Sequence, residues 1–221
     1  MCGRYVISLT LDQLADLFEI PDVIHGRINP APNWNAAPTQ SLPIVRRGRA
    51  GEMRLSEVRW GLVPHWSKTG PEGVKPLINA RAETAAEKPT FRAALKRRRA
   101  LIPADGFYEW KRTEAGKQPW FITRTDGAPM VFAGLWERWG EGDDRIDSFA
   151  VLTTAANADI AALHHRCPVM ITREGFSAWL DPDTDPQPFL APEPDGVLTA
   201  RPVSARVNKV AENDAALLNP V

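Results

Sequence analysis

Short apolar runs bounded by turn residues dominate the hydrophobic pattern of this chain. They are rich in branched and aromatic residues, and Gly, Pro or Asp stands at their ends, which is typical of β-strands. The predicted strands are LPIVRR (42–47), EVRWGLV (57–63), ALIPADGFYEWKR (100–112), PWFITR (119–124), MVFAGLWERW (130–139) and SFAVLTTAA (148–156). Because they follow one another with few helices between them, the pattern favours an antiparallel α+β domain over a doubly wound one.

Helical periodicity is confined to short regions. Thr10 to Gln13 has the sequence of a capping box, and an apolar stripe follows it at Leu11, Leu14, Leu17 and Phe18. The other predicted helices are residues 83–99, interrupted at Pro89, and two short helices that run from Asn157 through Leu163 and from Thr172 through Leu180. Such helices flank a β-rich core and do not build one.

Composition narrows the class of protein. A chain of 221 residues suits a single domain spanning 1–221, and its apolar runs are too short to cross a bilayer. The formal net charge is +0, so any contact with nucleic acid must come from a local patch. No export signal is visible, which predicts a cytoplasmic protein without a membrane partner.

Cysteine usage and glycine patterns predict neither a metal nor a cofactor. The two cysteines, Cys2 and Cys167, form no Cys-x-x-Cys pair, so no zinc site is predicted. A disulfide between them is conceivable, but a reducing compartment opposes it. No glycine-rich phosphate loop is present.

Four short stretches combine a reactive residue with a basic residue two positions later. They are Cys2-Gly3-Arg4, Asn79-Ala80-Arg81, Glu109-Trp110-Lys111 and His164-His165-Arg166. In extended backbone these two positions share a face, so each reactive group would lie beside a cation. Brought together, they would supply a nucleophile, an amide, a carboxylate and an imidazole for carbonyl chemistry next to phosphates.

Each stretch also has a structural interpretation, which the pattern leaves open. Glu109 could be a surface carboxylate paired with Lys111, and Asn79 could satisfy a backbone group. One of the two histidines could interact with a helix C-terminus. The basic run 96–99 is typical of a solvated helix end, and tryptophans such as Trp60 and Trp66 are more often found in a core than on a stacking surface.

Cys2 offers unusual chemistry if Met1 is removed. It would then carry a free α-amine and a thiol on adjacent carbons, a pair that no other position in a chain offers. This stretch alone favours the simpler interpretation, in which Cys2 is a small residue in a fixed first strand.

The ordered set of motifs resembles a known family. MCGRY, NAAPTQ, WGLVPHW, LINARAET, DGFYEWK, LHHRCPVMI and RPVSARVN together look like the SOS-response-associated peptidase family, also called abasic-site processing proteins. The resemblance implies a single α+β domain whose barrel-like, mostly antiparallel sheet is flanked by short helices. It also implies removal of Met1 and a covalent thiazolidine between Cys2 and the ring-opened aldehyde of an abasic site in single-stranded DNA. That bond would protect the lesion from strand cleavage during the DNA damage response.

The resemblance also implies residue roles. Cys2 would be the nucleophile, Asn79 would orient its amine, and Glu109 and His164 would move protons. Candidate DNA contacts are Arg4, Arg81 and Arg166 at phosphates, with Trp66 and Thr153 as weaker candidates. His165 and Cys167 depart from the expected motif; the spacing to Arg166 favours His164 as the acid–base residue.

Two other functions compete with this interpretation. A cysteine peptidase or N-terminal-nucleophile amidase would use the Cys2 thiol on an amide with His164 as base, and removal of Met1 could be its self-processing. A non-catalytic single-strand binding module would need none of this chemistry. The expected partner is single-stranded DNA with abasic sites, bound by a monomer with possible lyase activity, in the nucleoid if the source is bacterial.

Overall fold

The strands and helices are those of a computed structural model, which describes residues 2–20, 28, 30–72, 75–114 and 116–221. Within these ranges the strands are β1 (Tyr5–Ile7), β2 (Asn33–Ala36), β3 (Ser41–Arg47), β4 (Met53–Trp60), β5 (Asn79–Arg81), β6 (Arg99–Ala104), β7 (Gly106–Thr113), β8 (Gly116–Arg124), β9 (Met130–Trp139), β10 (Ile146–Ala155), β11 (Arg166–Pro168) and β12 (Leu198–Pro202). The α-helices are α1 (Leu11–Phe18), α2 (Ala82–Ala85), α3 (Arg92–Arg97) and α4 (Phe176–Leu180). Short 3-10 helices cover Gly142–Asp144, Arg173–Gly175, Gln187–Phe189, Ala205–Asn208 and Ala215–Leu218.

A closed barrel forms one half of the fold. Its strands follow the order β10-β4-β3-β6-β9, and β9 pairs again with β10. Neighbours are antiparallel except β4 and β10, which run parallel. Beyond the ring, β5 pairs parallel and β11 antiparallel with the C-terminal half of β10. The end of β10 therefore brings β5 and β11, which carry two of the four reactive stretches, to one place.

An antiparallel sheet in the order β12-β8-β7-β1-β2 forms the other half. It packs on the barrel through aromatic rings. Tyr5 lies 5.1 Å from Trp60 and 6.1 Å from Phe132, and Phe107 lies 6.0 Å from Phe132, measured between ring centroids. Because aromatic pairs at such distances add to the burial energy, they fix β1 and β7 against the barrel.

The predicted strand 100–112 is wrong as a single element, because the chain leaves one sheet for the other at Asp105. β6 ends before this residue and β7 begins after it. The Asp105 carboxylate accepts a hydrogen bond from the Ser8 amide at 2.5 Å. At Gly106 a Cβ atom would lie 2.4 Å from the Ile122 carbonyl oxygen, so only glycine permits this close passage.

Of the helix predictions discussed next, one is confirmed, one is only partly correct and one is wrong. The capping box is confirmed, since the side chains of Thr10 and Gln13 each accept from the other's backbone amide. The region 83–99 forms only the short helices α2 and α3, separated by turns around the proline, and passes into β6. The helix predicted from Asn157 is wrong: these residues form turns, and the Asn157 amide donates to Asp159 and to the Pro194 carbonyl instead of capping.

The remaining predicted helix is broken as well. A 3-10 turn follows Thr172 before α4 begins, and the Thr172 side chain makes no capping hydrogen bond. The predicted α+β class, with a barrel-like, mostly antiparallel core and short helices, is confirmed. In the described part of the chain, no helix is both long and apolar enough to cross a membrane.

Candidate active site

Cys2 lies shortly before β1 and belongs to the main core cluster. Its side chain is 1 % exposed, and its Sγ donates to the backbone oxygen of Arg4 at 3.8 Å. Burial and, next, the negative charge of Glu109 raise the pKa of the Cys2 thiol well above its usual value. The thiol is therefore neutral at physiological pH.

Asn79 holds the backbone of Cys2. It is the first residue of β5, and its Nδ2 donates to the carbonyl oxygen of Cys2 at 2.8 Å. The chain before it is fixed because the Trp60 indole donates to the Ile78 carbonyl at 3.0 Å. Among the described residues, the buried Oδ1 of Asn79 has no hydrogen-bond partner. The amide thus keeps a second polar atom available beside Cys2.

Glu109 and His164 come from opposite halves of the fold and meet at the site. Glu109 lies on β7 and is 4 % exposed. Its Oε1 is 3.9 Å from Nδ1 of His164, which precedes β11. The alternative of a surface carboxylate paired with Lys111 is therefore wrong for Glu109. A buried carboxylate beside an imidazole is suited to moving protons between substrate and protein.

The protonation of His164 is set by its neighbours. His164 Nδ1 lies 3.0 Å from the backbone nitrogen of Arg166 and 3.2 Å from its backbone oxygen, so it accepts from the first or donates to the second according to the tautomer. Burial lowers the pKa of His164 below its usual value, while the negative charge of Glu109 acts in the opposite direction. The ring is therefore neutral and basic near physiological pH.

Arg166 is engaged inside the protein. Its guanidinium donates to both carboxylate oxygens of Glu83, at 2.6 and 2.8 Å, and to the backbone oxygen of Thr153. Arg166 is 9 % exposed, and the Thr153 side chain is fully buried and bonds the Ala80 carbonyl at 3.4 Å. The hydrogen bonds from Arg166 lower the pKa of Glu83. Arg166 thus ties α2 to β10, and Thr153 supports it from the interior.

The other two predicted phosphate ligands differ in exposure. Arg4 is half-buried, and its Nη1 donates to Asn35 Oδ1 at 2.6 Å and to the Val207 carbonyl at 2.9 Å. Arg81 is exposed at the end of β5, two positions after Asn79. Arg81 is therefore the accessible cation nearest in sequence to the Cys2–Asn79 contact.

Trp60 and Trp66 differ in their exposure to solvent. Trp60 is fully buried, as expected of a core residue, whereas Trp66 is 57 % exposed. The segment that carries Trp66 is anchored on both sides of it. His65 Nδ1 lies 3.1 Å from Glu137, and the Trp139 indole donates to the Ser67 carbonyl at 2.7 Å. Trp66 is thus an exposed aromatic side chain on a segment that is anchored at both neighbouring residues.

The structure brings the four predicted catalytic residues into two contacting pairs, Cys2 with Asn79 and Glu109 with His164. Sequence reasoning missed Glu83, which lies in α2 directly after β5 and meets Arg166 only through the tertiary fold. It also missed Trp120, which lies directly opposite Glu109 in the β7–β8 register. No local pattern marks that cross-strand neighbour.

Cys167 forms no disulfide with Cys2; both are free and buried. Across residues 2–20, 28, 30–72, 75–114 and 116–221, no group of three or more His, Cys, Asp or Glu side chains is arranged to hold a metal ion.

The protein has a two-part α+β fold, in which a buried cysteine near the start of the chain lies beside an asparagine, a glutamate and a histidine. The sequence profile of the family described as SOS response associated peptidase (SRAP) matches residues 1–210. The chain belongs to this family.

Named relatives match the chain over its length. It is 38 % identical to abasic site processing protein YoaM of Bacillus subtilis, covering 99 % of this chain and 98 % of that protein. It is 33 % identical to abasic site processing protein YedK of Escherichia coli, covering all of both chains. A solved protein structure from Bacteroides thetaiotaomicron superposes with a TM-score of 0.84 at 23 % identity, covering all of both chains, and supports the fold.

Proposed function

We propose that this protein joins itself covalently to abasic sites in single-stranded DNA, through Cys2 after Met1 has been removed. Met1 lies outside the described residues. The observation that carries the proposal is the hold on Cys2: Asn79 binds its carbonyl at 2.8 Å and keeps a buried acceptor, Oδ1, beside it. An α-amine on Cys2 would give that acceptor a donor. The names of the relatives support DNA with abasic sites as the substrate.

The reaction consists of two additions to one carbon. The Cys2 amine attacks the ring-opened sugar aldehyde and forms a carbinolamine, which loses water to give an imine. The thiol then adds to the imine carbon, and its proton passes to the nitrogen, closing a five-membered thiazolidine. The second step is intramolecular, so it has a high effective concentration. Closure removes the imine that would promote loss of the 3′ phosphate by β-elimination.

The order of the additions follows from the state of the thiol. Because burial and Glu109 hold the thiol neutral, the amine is the better first nucleophile. Glu109 and His164 supply the proton transfers that open the sugar and release water from the carbinolamine. Asn79 Oδ1 accepts from the amine and aims its lone pair at the aldehyde.

Recognition of DNA is assigned to more exposed residues. Arg81 and the half-buried Arg4 bind phosphates beside the lesion, and Trp66 stacks on an unpaired base. Arg166 binds a phosphate only if it releases the Glu83 carboxylate. Thr153 does not contact the DNA and acts by supporting Arg166. The chain acts as a monomeric single domain in the cytoplasm, in a bacterium at the nucleoid.

The neutral thiol favours the thiazolidine mechanism over the peptidase alternative. Attack on an amide uses a thiolate, and the raised pKa of Cys2 opposes its formation. A peptidase would cleave members of a peptide library, whereas a simple binding module would form no covalent product with any DNA.

The test uses the full-length protein and three single-stranded oligonucleotides: one with an abasic site, one with a tetrahydrofuran analogue that lacks the aldehyde, and one undamaged. We expect a heat- and denaturant-stable adduct with the first alone, together with loss of Met1 in the intact mass. The same abasic site in a full duplex should react more slowly. No adduct with the abasic strand, or equal yield with the tetrahydrofuran strand, would refute the proposal.

A further inference from the structure

His165 lies face to face with the histidine assigned to proton transfer. The ring centroids of His164 and His165 are 4.4 Å apart, and the ring planes differ by 26°. Adjacent side chains of an extended strand point to opposite faces, so this stack exists only because the chain bends at His165, just before β11. His165 is exposed, whereas His164 is partly buried.

The stack adds a restraint on the His164 ring. The Arg166 backbone contacts its Nδ1 edge, at 3.0 Å from the nitrogen and 3.2 Å from the oxygen, whereas the stack acts on a ring face and therefore opposes tilting. His165 covers one ring face and restricts that tilt. Stacked aromatic rings interact by amounts large enough to select one orientation.

We infer that His165 is a positioning residue, which clamps the ring of His164 by stacking and favours its neutral form by placing a second ionisable imidazole on its face. This inference rests on the proposed function for its effect on rate, but not for its effect on the ring itself. His165 touches no reacting atom in this role.

The charged and titratable groups around His164 decide the sign of the pH effect. Glu109 approaches from β7 and favours the imidazolium, whereas protonated His165 disfavours it. The Cys2 thiol is neutral, a free Cys2 amine would add positive charge, and the Arg166 guanidinium is paired with Glu83. Burial is the largest cause of the lowered pKa of His164, and His165 lowers it further. Loss of His165 should therefore extend the imidazolium form to higher pH.

Three substitutions separate the stack from the charge. His165→Phe keeps a flat ring without an ionisable group, His165→Lys introduces a cation without a ring, and His165→Ala has neither. Each is assayed for the single-turnover rate of adduct formation at saturating abasic single strand, from pH 5 to 9. Affinity is measured separately on the tetrahydrofuran strand at several salt concentrations.

We expect His165→Phe to keep the neutral-pH rate but to move the acidic limb of the profile to higher pH. His165→Ala and His165→Lys should slow the reaction by roughly two- to tenfold, the effect of one aromatic pair. In a His164→Gln background, His165→Ala should have no further effect. Affinity and its salt dependence should stay near wild type, since His165 acts through His164.

Two results would overturn the inference. One is a wild-type rate and pH profile in all three variants; the other is a change confined to affinity and salt dependence, which would make His165 a phosphate contact. If the wild type forms no adduct, the proposed function is refuted but the inference about His165 is not. NMR titration of His164 then tests that inference. His165→Ala and His165→Phe should then raise the pKa of His164, and unchanged titration in both would reject the inference.

Discussion

The buried and the exposed parts of the site differ in how their side chains are held. Cys2 and Glu109 are buried, Asn79 is half-buried, and all three are restrained by contacts with atoms far away in sequence. Arg81 and Trp66 are exposed and fixed mainly through their backbone. Under the proposed function, the enclosed side chains carry the chemistry and the exposed ones bind DNA. Changes in the buried group should alter rate or product, and changes in the exposed group should alter affinity.

The largest expected effect is that of Cys2→Ala with Met1 removed. The amine remains and still attacks the aldehyde, but without the thiol the imine cannot close into a ring. We expect no stable adduct, an adduct trapped by borohydride, and more strand cleavage than with wild type. If this variant binds DNA yet gives neither trapped adduct nor cleavage, the thiol makes the first attack and the order of additions is wrong.

Glu109→Gln should slow adduct formation by about 10²- to 10⁴-fold, the usual range for loss of a general acid or base. Affinity for the tetrahydrofuran strand should change little, since the carboxylate is buried. The exposed Glu57→Gln on β4 is the matched control and should react as wild type does. A Glu109→Gln protein that loses affinity but keeps its rate would contradict the separation of the two regions.

Trp66→Ala should weaken single-strand binding by about 1–3 kcal/mol if a base stacks on the indole. Stability should barely change, because the ring is 57 % exposed. The measurement is fluorescence anisotropy with a labelled tetrahydrofuran strand, and Trp66→Phe should retain most of the affinity. Equal affinity in Trp66→Ala and wild type would remove Trp66 from the DNA surface.

Arg81→Ala should lower the salt dependence of binding by roughly 0.7 in the log–log slope, the value for one phosphate contact on a single strand. The single-turnover rate at saturating DNA should stay unchanged. Arg97→Ala, an exposed arginine on α3, is the control with no expected change in slope. An unchanged slope in Arg81→Ala would assign it a structural role.

Glu83→Gln should have the smallest effect, on folding stability. The lowered pKa of Glu83 means that its pair with Arg166 stabilises the fold above the unfolded pKa and is lost as pH falls through the folded pKa. Because the Glu83 side chain is 49 % exposed, we expect less than about 1 kcal/mol. Urea unfolding at neutral and at acidic pH should show the difference from wild type shrinking as the pH falls.

The elements that the sequence predicted correctly are those marked by a pattern within a few neighbouring residues. The six apolar runs overlap seven strands of the structure, and the Thr10 capping box begins α1 as expected. The predicted strand 57–63 extends past the true end of β4 because Gly61 leaves extended backbone with φ +120°. The short strand β11 was not predicted, since its three residues carry no periodicity and form a strand only because β10 pairs with them.

The site was predictable in its residue types but not in its contacts. Four basic residues in a row at 96–99 indicate a solvated helix end, yet Arg98 is paired with Glu137 at 2.6 Å and Arg99 is buried against the Thr184 carbonyl. Arg166 likewise meets Glu83 only through the tertiary fold. Partners far apart in sequence leave no local signal, so exposure could not be inferred from charge.

The proposed mechanism requires the α-amine and the thiol of Cys2 to act on the same carbon. It is tested most directly by comparing the processed protein with a variant that carries one added glycine between Met1 and Cys2, each checked by intact mass. The inserted residue leaves the thiol in place but turns the Cys2 amine into an amide. We expect a stable adduct with the abasic single strand for the processed protein and none for the variant. Equal rates for the two proteins would contradict the thiazolidine mechanism.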